Sequence, residues 1–169
     1  MLIYLIGYSY SGKTTLGRQL AKQMGYHFFD TDKAIELRYH TTIPLLFNHY
    51  GETAFRIIER RILEETGALH DTVVSTGGGL PCNKHNIDYI LAHGTAIHLT
   101  MSVDDIMHRI EHAQKGRPSL AGMDREEQRQ FISTQLADRL PYYNRAPLTL
   151  PAAMATVDDL LRLVNGYTA

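Results

Sequence analysis

The stretch "LIYLIGYSYSGKTTLG" (2–17) joins an apolar run to a loop that carries two spaced glycines and a lysine. Its residues 7–14 match the phosphate-binding pattern G-x-x-x-x-G-K-S/T, with Gly7, Lys13 and Thr14 at fixed positions. Glycines allow backbone angles that turn successive N–H groups toward an anion, and a helix that follows adds the positive end of its dipole. Because the pattern lies between a predicted strand and a predicted helix, it indicates a site for a nucleoside triphosphate.

Short apolar strands alternate with helical segments along the rest of the chain. The predicted strands are 2–6, 27–29, 72–76, 95–100 and 147–150. Several are nearly continuous in apolar character, which is typical of strands covered on both faces. Strand–helix alternation predicts parallel strands joined by right-handed crossovers. We therefore expect one α/β domain over residues 1–169, with about five strands.

Helix boundaries are marked by capping residues. The segment after Lys13 has apolar spacing near 3.6 and should end at Gly25. The sequences 102–105 and 156–159 each place Ser or Thr three residues before an acid, the pattern of a capping box. Two further helices should stop at Gly94 and Gly166. The polar stretch 113–124 is long enough to form a mobile loop.

Composition excludes several classes of protein. A formal net charge of −1 argues against a general nucleic-acid binder, which usually has a strongly basic face. The single cysteine, Cys82, cannot form an intrachain disulfide. The N-terminal apolar run ends at Gly7, too early for a signal peptide or a membrane span. We expect a cytoplasmic protein that binds neither nucleic acid nor membrane.

Two carboxylates follow the second predicted strand in "FFDTD" (28–32). Residues one apart on an extended chain point the same way, so Asp30 and Asp32 should project together from the carboxyl end of that strand. The phosphate loop lies at the same edge of an open α/β sheet. One carboxylate would hold Mg²⁺ through its waters and the other would accept a proton from an attacking hydroxyl. The alternative is that Asp32 only caps the next helix, a role that an Asp at a strand–helix junction often has.

Three arginines and a glycine triplet suggest what the acceptor is. Arg56 lies in an apolar helix with Glu59 one turn later, Arg117 lies in the polar loop, and Arg139 lies near the end of a long helix before helix-breaking Pro141. A single arginine is more often a surface charge. Together the arginines favour an anionic acceptor, because guanidinium forks suit carboxylates. The triplet 77–79 after the third strand lets backbone N–H groups approach a ligand closely.

The order and spacing of "GYSYSGKTT", "FFDTD", "GETAFRIIE", "STGGG", "GRP" and "RLPYY" over residues 2–146 resemble those of shikimate kinases. The resemblance implies ATP-dependent phosphorylation of shikimate to shikimate 3-phosphate, a step toward the aromatic amino acids. It also implies a nucleoside-monophosphate-kinase-like fold with strand order 2-3-1-4-5, a lid at about 113–124, and a monomer. The alternatives are a kinase for another hydroxy-acid such as gluconate, and a non-catalytic ATP-binding module.

The resemblance also implies roles for individual residues. The ATP phosphates would be wrapped by the loop residues Tyr10, Ser11, Gly12, Lys13, Thr14 and Thr15. Mg²⁺ would be held by Thr14 and by Asp30 through water, and Arg109 would stack on adenine. Arg117 would reach the transferring phosphate from the lid. Shikimate would be bound by Asp32 at the reacting hydroxyl, by Arg56 and Arg139 at the carboxylate, and by the backbone of Gly77, Gly78 and Gly79.

Two other features carry a structural interpretation. His108 and His112 lie four apart on a predicted helix, but no third ligand follows at a suitable spacing, so a solvated face is favoured over a metal site. Cys82, just after the glycines, is predicted to be a half-buried packing residue rather than a reactive thiol.

Overall fold

The structure is a computed structural model that describes residues 1–113 and 120–168. Five strands in these residues form one sheet in the order β2-β3-β1-β4-β5, and every neighbouring pair is parallel. The strands are β1 Leu2–Ile6, β2 His27–Asp30, β3 Thr72–Ser75, β4 Thr95–Thr100 and β5 Leu148–Pro151. The predicted strand positions and the sheet order are therefore confirmed, with ends that differ by a residue or two.

Seven α-helices in the described residues connect and cover the strands. They are α1 Lys13–Met24, α2 Thr31–Tyr39, α3 Ile43–Thr66, α4 Lys84–His93, α5 Val103–Glu111, α6 Arg125–Tyr143 and α7 Val157–Thr168. Helix α3 is interrupted at Gly51, whose φ of 77° and ψ of 172° are not helical. None of the described helices is long and apolar enough to cross a membrane.

Hydrophobic cores lie on both faces of the sheet. On β1, Ile3 and Leu5 pack into a cluster with α1 and α7, while Tyr4 and Ile6 pack into a cluster that includes residues of α4, α5 and α6. All five β1 residues are buried. This two-sided burial explains the unbroken apolar run that precedes the phosphate loop.

Most predicted helix ends are confirmed. Helix α1 ends at Gly25, which has a left-handed φ of 68° and donates its N–H to the carbonyls of the last turn. Ser102 and Asp105 form a reciprocal capping box at the start of α5, and Thr156 and Asp159 exchange the same hydrogen bonds before α7. Gly94 follows α4 directly. These backbone and side-chain hydrogen bonds satisfy groups that the first and last turns of the helices leave unpaired.

Two predicted helix ends are wrong. Gly166 lies inside α7, because Leu160 and Val164 anchor that helix to the core and outweigh the low helix propensity of one glycine. Pro141 lies inside α6, which continues to Tyr143. Proline there removes one hydrogen bond near the helix end, and the fully buried Tyr143 holds the last turn in place.

Candidate active site

The loop between β1 and α1 forms a cradle around the Lys13 ammonium group. Lys13 is buried, and its Nζ donates hydrogen bonds to the carbonyls of Gly7 (2.9 Å) and Tyr8 (2.7 Å) and to Ser11 Oγ (3.2 Å). A Cβ at Gly7, where φ is 140°, would lie 2.6 Å from the Leu99 carbonyl oxygen. The loop therefore rests directly on the end of β4 and requires glycine at this position.

Tyr10 has a left-handed backbone in the middle of this loop, with a φ of 68°. The Tyr10 carbonyl accepts a hydrogen bond from Arg109 Nη1 at 2.6 Å, and Arg109 Nη2 donates to the Ala152 carbonyl at 2.5 Å. Arg109 thus links the phosphate loop to the segment after β5. A non-glycine residue in this conformation costs about 1 kcal/mol, and the hydrogen bond to Arg109 helps to hold it.

Oxygen atoms suited to a magnesium ion lie beside the cradle. Thr14 Oγ1 donates to Asp30 Oδ2 at 2.7 Å and lies 3.3 Å from Ser75 Oγ. Asp30 Oδ1 accepts from the backbone N–H of Lys33 at 3.1 Å. Hydroxyl and carboxylate oxygens are ligands that Mg²⁺ prefers, so the residues predicted for the metal fit it chemically.

The predicted geometry of the two aspartates needs correction. Asp30 is the last residue of β2 and the N-cap of α2, whereas Asp32 lies in the first turn of that helix. The chain becomes helical at Thr31, so the two side chains do not project from one extended strand. Both nevertheless line the same cavity of about 460 Å³ over the phosphate loop. The cap is Asp30, so the purely capping interpretation of Asp32 is wrong.

Asp32 lies between two adjoining cavities. It lines the cavity over the phosphate loop and also a second cavity of about 750 Å³ that contains Arg56 and Arg139. Burial and the nearby Asp30 carboxylate raise the pKa of Asp32, and the Lys13 ammonium group acts in the opposite direction, so that the pKa is about 6. Asp32 is therefore still ionised at neutral pH, next to both cavities.

Arg56 is held in the second cavity by carboxylates. Its Nη1 donates to Glu59, which is 2% exposed, and its Nη2 donates to Glu52 at 3.3 Å. Burial raises the pKa of Glu59 to about 7, although the Arg56 charge opposes this shift. The rings of Phe47 and Phe55 lie 5.9 and 5.6 Å from the guanidinium carbon. Arg56 and Glu59, which lie one turn apart on α3, therefore form an ion pair.

Arg139 reaches the same cavity from α6. Its Nη1 atom is buried and has no hydrogen-bond partner among the described residues. Its guanidinium carbon lies 5.3 Å from the centre of the Tyr8 ring. A buried guanidinium N–H without a partner is costly, and in a cavity it favours an anionic ligand.

The three consecutive glycines each face a different side chain of this cavity. A Cβ on Gly77 would collide with the Asp32 carboxylate, and a Cβ on Gly78 would lie 3.3 Å from Arg139 Nη1. A Cβ on Gly79 would lie 2.8 Å from Arg56 Nη1. The triplet thus leaves room for the three charged groups that the sequence predicts at the acceptor.

Some predicted positions lie outside the site or outside the described residues. Arg117 belongs to 114–119, which the structure does not describe. His108 and His112 are both exposed, as expected for a solvated face. Among the described residues, no three His, Cys, Asp or Glu side chains are grouped so that they could hold a metal ion. Cys82 is partly buried against the core and burial raises its thiol pKa, which agrees with a packing role.

Several side chains that the sequence motifs do not indicate pack around the second cavity. Tyr143 OH donates to the Gly78 carbonyl at 2.5 Å and so joins α6 to the glycine triplet. Tyr8 OH donates to Gln135 Oε1 at 2.6 Å. The spacing of Gln135, Arg139 and Tyr143 at four-residue intervals on one helix face was the available signal.

A parallel sheet of this strand order, with a phosphate loop at its carboxyl edge and a second polar cavity beside it, places the protein among the P-loop kinases. The family model described as shikimate kinase matches residues 10–160. A shikimate kinase of Parabacteroides distasonis is 42% identical over 164 residues, which span 96% of this chain and 95% of the relative. The chain belongs to the shikimate kinase family.

Solved structures of the family agree closely with the fold. The crystal structure of shikimate kinase from Bacteroides thetaiotaomicron superposes with a TM-score of 0.93 at 34% identity, over 98% of both chains. A shikimate kinase from Acinetobacter baumannii, solved in complex with shikimate, superposes with a TM-score of 0.87 at 32% identity. That match covers 98% of this chain and 93% of the other.

Proposed function

We propose that the protein transfers the γ-phosphoryl group of ATP to the 3-hydroxyl of shikimate, giving shikimate 3-phosphate and ADP. The observation that carries the proposal is the buried Arg139 Nη1 without a hydrogen-bond partner among the described residues, in the same cavity as Arg56 and Asp32. Two guanidinium groups and a carboxylate in one cavity match a molecule that carries a carboxylate and hydroxyl groups. Shikimate is such a molecule.

The nucleotide side of the site is assigned to the phosphate loop. Residues 10–15 would surround the phosphates, and Lys13 would turn its ammonium group from the loop carbonyls to the β- and γ-phosphates. Thr14 and Asp30 would hold Mg²⁺, which supplies charge neutralisation for those phosphates. Arg109, at the junction of the loop and the segment after β5, would lie against the adenine.

The acceptor side is assigned to the second cavity. Arg56 and Arg139 would bind the shikimate carboxylate, and the backbone of Gly77–Gly79 would contact the ring hydroxyls. The 3-hydroxyl oxygen would bond to the γ-phosphorus as the bond from that phosphorus to the leaving ADP oxygen breaks, and Asp32 would take the hydroxyl proton. Arg117, from the lid, would neutralise charge on the transferring group. Alignment and charge are the main requirements, because the transition state of phosphoryl transfer is loose.

The acceptor assignment is tested by coupled ADP release with Mg-ATP and shikimate, quinate or gluconate as the second substrate. We expect release that depends on shikimate. Release with gluconate alone would overturn the acceptor, and ATP binding without release would favour a binding module.

The carboxylate clamp is tested with Arg139→Ala. Loss of a charge-assisted hydrogen bond costs about 1.5–3 kcal/mol, so the KM for shikimate should rise at least tenfold. The KM for ATP should change much less. An unchanged KM for shikimate would remove Arg139 from the clamp.

A further inference from the structure

The side chain of Tyr8 lies between the phosphate loop and the acceptor cavity. Tyr8 is the second residue of the phosphate-binding pattern, and it is 1% exposed within the core cluster that includes Ile132 and Leu136 of α6. Its carbonyl accepts from Lys13 Nζ, while its ring lies under the Arg139 guanidinium at 5.3 Å. One residue therefore contacts a cation at each of the two sites.

The Tyr8 ring is fixed in place by its hydroxyl. Tyr8 OH donates to Gln135 Oε1 at 2.6 Å, and Gln135 lies one helical turn before Arg139 on α6. Residues four apart on a helix occupy the same face. Gln135, which binds the Tyr8 hydroxyl, and Arg139, which lies above the Tyr8 ring, therefore contact Tyr8 from one face of α6. Gln135 and Arg139 both line the acceptor cavity.

The two arginines of the cavity are held by different means. Arg56 forms ion pairs with Glu52 and Glu59, which compensate part of its charge. No acidic side chain among the described residues lies within ion-pair distance of Arg139, and the aromatic face of Tyr8 lies beside it instead. An aromatic ring attracts a guanidinium through its quadrupole without neutralising it. The Glu59 carboxylate acts on Arg139 electrostatically but forms no ion pair with it, so the Arg139 guanidinium is less compensated than that of Arg56.

We infer that Tyr8 and Gln135 are positioning residues for Arg139: the ring supports the guanidinium, and the hydrogen bond to Gln135 fixes the ring. The inference rests on the proposed function, in which Arg139 binds the substrate carboxylate. It adds a residue of the phosphate loop, acting through its side chain, to the determinants of acceptor binding.

Three single variants and one double variant separate the parts of this arrangement by steady-state kinetics. Tyr8→Leu removes the ring, and we expect the KM for shikimate to rise about 2- to 30-fold, the range for a cation–π contact. Tyr8→Phe keeps the ring and should recover most of that loss. Gln135→Leu and Tyr8→Phe remove the same hydrogen bond, so the double variant should be no worse than the more affected single variant.

Tyr4→Leu is the matched control. Tyr4 is a fully buried tyrosine of the same core cluster, and its hydroxyl bonds to Thr66 rather than to α6. A general loss of core packing would affect Tyr4→Leu and Tyr8→Leu alike, whereas the inference predicts a raised KM for shikimate only in Tyr8→Leu. An equal rise in the KM for shikimate in the two variants, or an unchanged KM in Tyr8→Leu, would overturn the positioning role of Tyr8.

A second measurement does not depend on turnover. The side-chain protons of Arg139 next to the Tyr8 ring should show an upfield ring-current shift in the NMR spectrum of the wild-type protein. The shift should persist in Tyr8→Phe and in Gln135→Leu, with a smaller value, and vanish in Tyr8→Leu. An unshifted Arg139 in the wild type would refute the arrangement. Failure to phosphorylate shikimate with the shift present would instead refute the proposed function.

Discussion

Gly79→Ala tests the position of Arg56 with the addition of one methyl group. The new Cβ would lie 2.8 Å from Arg56 Nη1 and 3.1 Å from Nη2, where ordinary contacts begin near 3.4 Å. The guanidinium must therefore move by about 0.6 Å, the difference between 3.4 and 2.8 Å. The backbone at Gly79 has no positive φ, so alanine fits there without strain.

The displacement should appear as weaker shikimate binding. Arg56 is tied to Glu52 and Glu59, so its guanidinium cannot shift freely and still occupy the position proposed for binding the substrate carboxylate. A charge-assisted hydrogen bond contributes about 1.5–3 kcal/mol, and each 1.4 kcal/mol is a factor of ten. We expect the KM for shikimate to rise about 10- to 100-fold, with the KM for ATP nearly unchanged.

Steady-state ADP release and thermal unfolding provide the assay, with Gly166→Ala as the control. A Cβ at Gly166 meets nothing within 4 Å, and the residue lies inside α7. Alanine there should stabilise the protein by about 0.5–1 kcal/mol and leave both KM values unchanged. If Gly79→Ala folds normally and binds shikimate like the wild type, Arg56 does not form the carboxylate site.

Two further substitutions address proton transfer and the nucleotide side. Asp32→Asn should lower kcat about 10²- to 10⁴-fold, with ATP binding retained, and full activity would contradict a role in proton transfer. In the wild type, kcat/KM should fall as the pH drops below about 6, the raised pKa of Asp32. Since that shift disfavours the ionised form in the folded state, Asp32→Asn should also stabilise the fold more at pH 8 than at pH 5, as thermal unfolding would show. Arg109→Met, which loses the hydrogen bonds to the Tyr10 and Ala152 carbonyls, should raise the KM for ATP more than that for shikimate; the reverse order would disprove its place on the nucleotide side.

The sheet was predictable because its signals are local. Each strand is a short apolar run, and the phosphate loop with its lysine fixes the junction of β1 and α1. The errors at Gly166 and Pro141 arose where packing far along the chain outweighs local propensity. Val164 and Tyr143 anchor those helix ends, and neither contact is visible in a sequence window.

The grouping of Asp32, Arg56 and Arg139 around one cavity was predictable from motif chemistry, but the partners of these residues were not. Arg56, Arg139 and the glycines come from separate segments, and only folding shows that each glycine faces one charged group. The contact of Arg139 with Tyr8 joins residues that are more than a hundred positions apart. Such pairs follow from the crossing of α6 over the sheet, which sequence periodicity does not specify.

The central claim is that Arg56 and Arg139 bind the carboxylate of the acceptor while Asp32 meets its hydroxyl. A crystal structure of this protein with shikimate bound measures it most directly. The account predicts carboxylate oxygens about 2.7–3.2 Å from Arg139 Nη1 and from the Arg56 guanidinium, with the 3-hydroxyl at hydrogen-bond distance from Asp32. A carboxylate bound away from both arginines would contradict it.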